Sequence, residues 1–202
     1  MTTQEKNGIT EGVIWKQLLI FFFPILVGSF FQQLYNTVDS VIVGQFVGKE
    51  ALSSVGGSAG QIISLVVGFF TGVSTGATVI ISQYFGAGKK EEIEESLHTA
   101  YAFALVGGLV LGIAGIVFAP QMLRWMNTPE ELIAESVLYV RVYFSGLIFI
   151  FIYNMGAAIL RAVGDSKRPL YYLIVCCVVN IILDLLLILV IPLGVLGAAI
   201  AT

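Results

Sequence analysis

Two carboxylates, Asp39 and Asp184, stand in stretches where apolar residues dominate. Asp184 lies in VVNIILDLLLILV (Val178–Val190), eleven of whose thirteen residues are aliphatic, with Asn180 four residues earlier on the same helical face. Asp39 lies in FFQQLYNTVDSVIVG, where Gln32, Asn36 and Asp39 fall at i, i+4 and i+7 and make one polar stripe. In a bilayer helix a carboxylate costs roughly 2.5–3.5 kcal/mol on insertion scales, so each acid needs a partner. Two acids in a low-dielectric, partly hydrated cavity cannot both ionise cheaply. Either one takes up a proton or the pair binds a small cation, with amide and hydroxyl oxygens as further ligands. The pattern predicts a cation-coupling site; the competing reading has each acid capped by neighbouring amides and fixing helix register only.

Composition makes the bilayer the solvent. Of 202 residues 57% are hydrophobic and 11% charged, and the mean hydropathy is +0.94, far from the balance of a soluble domain. The net charge of −3 is dispersed, and no basic or acidic tract invites a nucleic acid. Cys176 and Cys177 are adjacent within an apolar run, point to different helix faces and read as packing residues. His98 has no Cys or His partner for a metal. GAGKK lacks the full phosphate-loop spacing, and no nucleophile–base pair appears, so neither a nucleotide-driven pump nor an enzyme is expected.

The elements that must position the acids are membrane helices. Five apolar runs can each cross a layer of roughly 30 Å: Trp15–Phe46, Ile62–Ile81, Ala100–Ala119, Ile133–Leu160 and Leu170–Ile191. The first follows Lys6 and Trp15, is too long for a signal peptide and reads as an uncleaved span. A sixth run begins at Leu193 and reaches about 15 Å by Thr202, so the chain reads as truncated partway through a crossing. With residues 1–14 in the cytoplasm and residues 15–202 forming the membrane lobe, seven Lys or Arg fall inside and three outside, as the positive-inside rule requires. Gly68, Gly72 and Gly76 in the second span, and Ala104, Gly108 and Gly112 in the third, predict close helix packing. Pro24 predicts a kink in the first span, hence a hinge.

Depth brings the polar groups together. At about 1.5 Å per residue, Asp184 lies about 10 Å from the outer end of the fifth span, Thr202 about 14 Å into the sixth and Tyr139 about 9 Å into the fourth. Asp39, Asn180, Asp184 and Thr202 thus form one expected cation site in the outer half of an all-α bundle. Tyr139 supports it, and Gln32 and Asn36 lie on the same stripe as Asp39.

The segments QQLYNTVDSVIVG, SQYFGAGKKEE, LRAVGDSKRPLYY, NIILD and GVLGAAIAT, in this order, resemble the multidrug and toxic compound extrusion (MATE) family, in particular its DinF-like branch. The resemblance implies a twelve-helix secondary transporter of two six-helix lobes, of which this chain is the amino-terminal one with its sixth helix incomplete. It implies proton- or sodium-coupled export of amphipathic, often cationic drug-like compounds across the cytoplasmic (inner) membrane by alternating access, with no cofactor beyond the coupling ion and a carboxy-terminal lobe as partner. The cation-site positions of the related branch fall on Asp39, Asn180, Asp184 and Thr202, with Tyr139 and Asn154 around them. A lipid-linked precursor flippase of the same superfamily would need several cations in its cavity, and here Arg141 is the one basic residue clearly within a span. A non-transporting membrane scaffold is the rival from another class, and it leaves both acids silent.

Overall fold

The computed structural model describes residues 13–202; the amino-terminal segment expected at 1–14, with Lys6, lies almost wholly outside the described residues. The described chain is helical. α1 (Ile14–Ile42) continues into a π-helical turn at Val43–Val47. α2 (Lys49–Ser54) and α3 (Gly60–Gly86) are joined through a second π-helical turn at Val55–Ala59. α4 is Lys90–Trp125, α5 Glu130–Ser145, α6 Leu147–Ala162, and α7 (Lys167–Asp184) runs on through Leu185–Val190 to the short α8 (Val195–Ala201).

Four of these continuous helical stretches are long and apolar enough to cross a membrane, and α5 with α6 makes a fifth crossing bent by 51°. The multi-pass reading of the sequence stands, with two corrections to its geometry. The run Ile133–Leu160 is not one straight helix. It breaks at Gly146, where Ser145 turns its hydroxyl onto the Val142 carbonyl at 2.6 Å instead of leaving the backbone ladder undisturbed. The sixth run becomes helical at Val195 rather than Leu193, because Gly194 takes a φ of +58° that a side chain resists.

Packing follows the small residues of α4. A Cβ at Gly108 would lie 2.8 Å from Ile148 Cα, one at Gly112 3.0 Å from the Phe144 carbonyl oxygen, and one at Gly115 inside the Phe144 ring. With Ala104 and Ala119 fully buried beside them, they let α4 close on the bent α5–α6 pair. The glycines of α3 behave differently from expectation. Gly68, Gly72 and Gly76 meet nothing within 4 Å among the described residues, because Phe70, Ser74 and Ile81 occupy the inward face of that helix and the glycines fall on the other side. Phe70 stacks on Phe151 of α6 with ring centroids 3.6 Å apart. Outward, Val106, Val110, Ile113 and Val117 of α4 and Phe149 of α6 are exposed, an apolar belt suited to lipid.

Candidate functional site

The approach of Asp39 and Asp184 is set three turns away from the acids. α1 lies along α7, and Gly28 of α1 sits against Leu170 and Leu173 of α7, so that a Cβ there would be 3.5 Å from a Leu173 methyl. One turn further on, Cys177 Sγ reaches the Phe31 carbonyl at 3.8 Å. Both helices run the same way. Eleven residues beyond Gly28 is Asp39, and eleven beyond Leu173 is Asp184; eleven residues are three helical turns, about 16 Å of rise on an unchanged face. Parallel helices in contact at one level therefore meet again through the two acids. The two carboxyl groups lie within electrostatic range of each other. Asp184 is completely buried and Asp39 is 8% exposed.

α8 closes the other side. Asn180 donates through Nδ2 to the Ala201 carbonyl at 2.9 Å, which fixes the end of α8 against α7. The neighbouring Thr202 donates to the Ala198 carbonyl at 2.9 Å, so its lone pairs face outward from that bond. Tyr35 of α1 and Tyr139 of α5 both approach the Thr202 side chain and lie within electrostatic range of Asp39. Tyr143, one turn along α5 with its ring 6.4 Å from that of Tyr139, completes a phenolic wall.

The hydrogen-bond accounting of this cluster is unusual. Asp39 Oδ1, both carboxyl oxygens of Asp184 and Asn180 Oδ1 are buried, and no donor from the described residues reaches them. Leaving one buried acceptor unsatisfied costs about 1–3 kcal/mol, and more for a charged one. Four such oxygens on α1 and α7 make a concentrated set of acceptors, with Thr202 at its edge. Among the described residues no three His, Cys, Asp or Glu side chains gather in a metal-binding group. The donor set is thus two carboxylates plus neutral oxygens, which suits one proton or one small monovalent cation.

The structure brings together Asp39, Asn180, Asp184, Thr202 and Tyr139. Gln32 and Asn36 are exposed on α1 and do not join the buried cluster. Asn154 lies elsewhere: its amide donates to the Ile150 carbonyl at 2.9 Å and it lines a separate cavity. Pro24 is buried inside α1, which remains helical through it. Arg141 donates through Nε to the Ile116 carbonyl at 3.2 Å, on a side of α5 that is exposed. Tyr35 and Tyr143 were not among the expected residues. Their signal was in the spacing, four residues before Asp39 and four after Tyr139.

Comparison with known proteins agrees with this architecture. The family model MatE matches residues 24–186, and the chain belongs to that family of membrane transporters. It is 34% identical, over its whole length, to the probable multidrug resistance protein YoeA of Bacillus subtilis, of which it covers 44%. It is 35% identical over 96% of its length to the probable multidrug resistance protein YpnP of the same organism, covering 43%. A solved outward-facing multidrug resistance MATE transporter superposes on all of this chain with a TM-score of 0.92 at 27% identity, the chain covering 44% of it. The chain thus spans less than half the length of these relatives and corresponds to their amino-terminal lobe.

Proposed function

We propose that this lobe is the cation-coupling half of a multidrug exporter, in which one proton or one sodium ion, held between Asp39 and Asp184, drives outward movement of amphipathic, often cationic compounds. The observation that carries the reading is the group of four buried acceptor oxygens without donors on Asp39, Asp184 and Asn180. An ion or proton supplies the missing positive charge, and its release leaves two carboxylates facing each other. Two like charges about 4 Å apart at an effective dielectric of about 20 repel by about 4 kcal/mol, and a repulsion of that order is enough to bias two arrangements of α1 and α7. Asn180 and Thr202 serve as neutral ligands, Tyr35 and Tyr139 shape the wall, and Pro24 lies at the point of α1 where bending is absorbed. In this reading the protein sits in the cytoplasmic membrane with residues 1–14 in the cytoplasm, and a carboxy-terminal lobe completes the central cavity. The names of YoeA and YpnP support multidrug substrates.

The test is counterflow by the full-length protein in proteoliposomes. An imposed ethidium gradient is expected to drive sodium or proton movement the opposite way, and repeating it with and without sodium at fixed pH separates the two ions. Ethidium movement with neither ion moving would refute the reading.

A further inference from the structure

A cavity of about 320 Å³ lies apart from the acid pair, between α1, α3 and α6. On α3 its wall is a stripe of hydroxyls, Thr71, Ser74, Thr75, Thr78 and Ser82, recurring at intervals of three and four residues on one face. On α6 it is Asn154 and Arg161, seven residues apart and therefore also on one face, while Phe21 of α1 supplies an aromatic side.

Most of these groups have already used their protons. Thr71, Thr75 and Thr78 donate to the carbonyls of Val67, Thr71 and Ser74 at 2.8–2.9 Å. Ser82 donates to Val79, and the Asn154 amide to Ile150. Two donors remain. The Ser74 hydroxyl is buried, its residue 3% exposed, and has no partner among the described residues. Arg161 is half-buried, and the described residues give its guanidinium neither an ion pair nor a hydrogen bond. Asp165, the acid nearest in sequence, is engaged elsewhere: it pairs with Arg168 at 3.1 Å and accepts from the backbone N–H groups of Lys167 and Arg168. A guanidinium to which the described residues give no counter-ion, in the wall of a hydroxyl-lined cavity, is the complement of a carboxylate or phosphate.

The register sets the shape of the ligand. Thr78 Oγ1 lies 3.4 Å from the Ala158 carbonyl, so α3 and α6 are level there. That puts Ser74 with Asn154 one turn to one side and Ser82 with Arg161 about one turn to the other, an interval of about 10 Å along the helices. We propose that this cavity binds a small amphipathic anion, its carboxylate or phosphate on Arg161, its body against Phe21, and a second polar atom at Ser74 and Asn154. The site is independent of the Asp39–Asp184 reading.

The probe is 4′-hydroxybiphenyl-4-carboxylate, whose acid and hydroxyl are spaced to reach both ends, compared with its neutral carboxamide. Binding is measured on the full-length protein in phosphatidylcholine nanodiscs near neutral pH. The acid is expected to bind at least tenfold more tightly than the amide. Arg161→Gln is expected to erase that preference and Arg161→Lys to keep part of it, while Ser74→Ala weakens acid and amide alike by a few-fold. Adding phosphatidylglycerol identifies the natural anion: competition assigns a lipid phosphate, and no competition a soluble anion, either of which upholds an anion site. Equal binding of acid and amide by the unsubstituted protein, no binding of either, or a preference that survives in folded Arg161→Gln protein overturns the proposal.

Discussion

If the acids meet because α1 and α7 are in register from Gly28 onward, a wedge at Gly28 must separate them without touching either one. A Cβ at Gly28 falls 3.5 Å from Leu173 Cδ2 and 3.7 Å from Leu170 Cδ1, ordinary contact distances, so Gly28→Ala fits without moving the helices. It is expected to be neutral or to stabilise by up to about 1 kcal/mol, the helix-propensity difference between the two residues. Gly28→Leu adds three further carbons where those two leucine side chains already stand. Overpacking of this kind costs about 1–3 kcal/mol, and the relief available is outward movement of α7. Three turns on, that movement withdraws Asp184 from Asp39. Both substitutions are to be read by thermal melting of the full-length protein in detergent and by ethidium-driven cation flux in proteoliposomes. Gly28→Ala should match the unsubstituted protein in flux. Gly28→Leu should fold, melt lower and lose most of its coupling although both acids are intact. Full coupling in Gly28→Leu protein would refute the claim that this contact sets the site.

Other substitutions separate packing from function. Gly115→Ala places a methyl group within the Phe144 ring and is expected to destabilise by about 1–3 kcal/mol, whereas Gly72→Ala, on the open face of α3, is expected to cost nothing; melting temperatures of the two check the ordering. Asn180→Leu removes the bond to the Ala201 carbonyl and leaves that acceptor buried, an expected loss of about 1–3 kcal/mol. The same variant should also bind the coupling ion more weakly, which flux titrated against sodium or pH would detect. Tyr143→Phe keeps the ring beside Tyr139 and should leave coupling within a factor of a few, measured in the same flux assay.

The membrane crossings were legible because the bilayer imposes length and apolarity on each of them, and they could be read without knowing any contact. The acid pair was legible for a related reason: a charge in such a run needs a partner, and depth along the helices restricts which one. Asn180, one turn before Asp184, was legible from the same arithmetic. What could not be read was facing. Gln32 and Asn36 share a stripe with Asp39, yet they are exposed while Asp39 is buried, because the stripe is broader than the seam with α7. The bend at Gly146 escaped because hydropathy does not register a change of helix direction. It also redirects α6, so that Asn154 faces the hydroxyl stripe of α3 instead of the acids. The glycines of α3 show that small-residue spacing identifies a smooth face without saying what covers it.

In the proposed mechanism Asp39 and Asp184 couple ion movement to export. It is tested most directly by drug-driven cation flux in proteoliposomes of full-length protein carrying Asp39→Asn or Asp184→Asn. Each substitution keeps the side chain's size and removes its charge and titratable proton. Either variant is expected to melt no lower than the unsubstituted protein and still to bind ethidium, yet to drive no opposing sodium or proton movement. Coupling at the unsubstituted rate in either variant would contradict the mechanism.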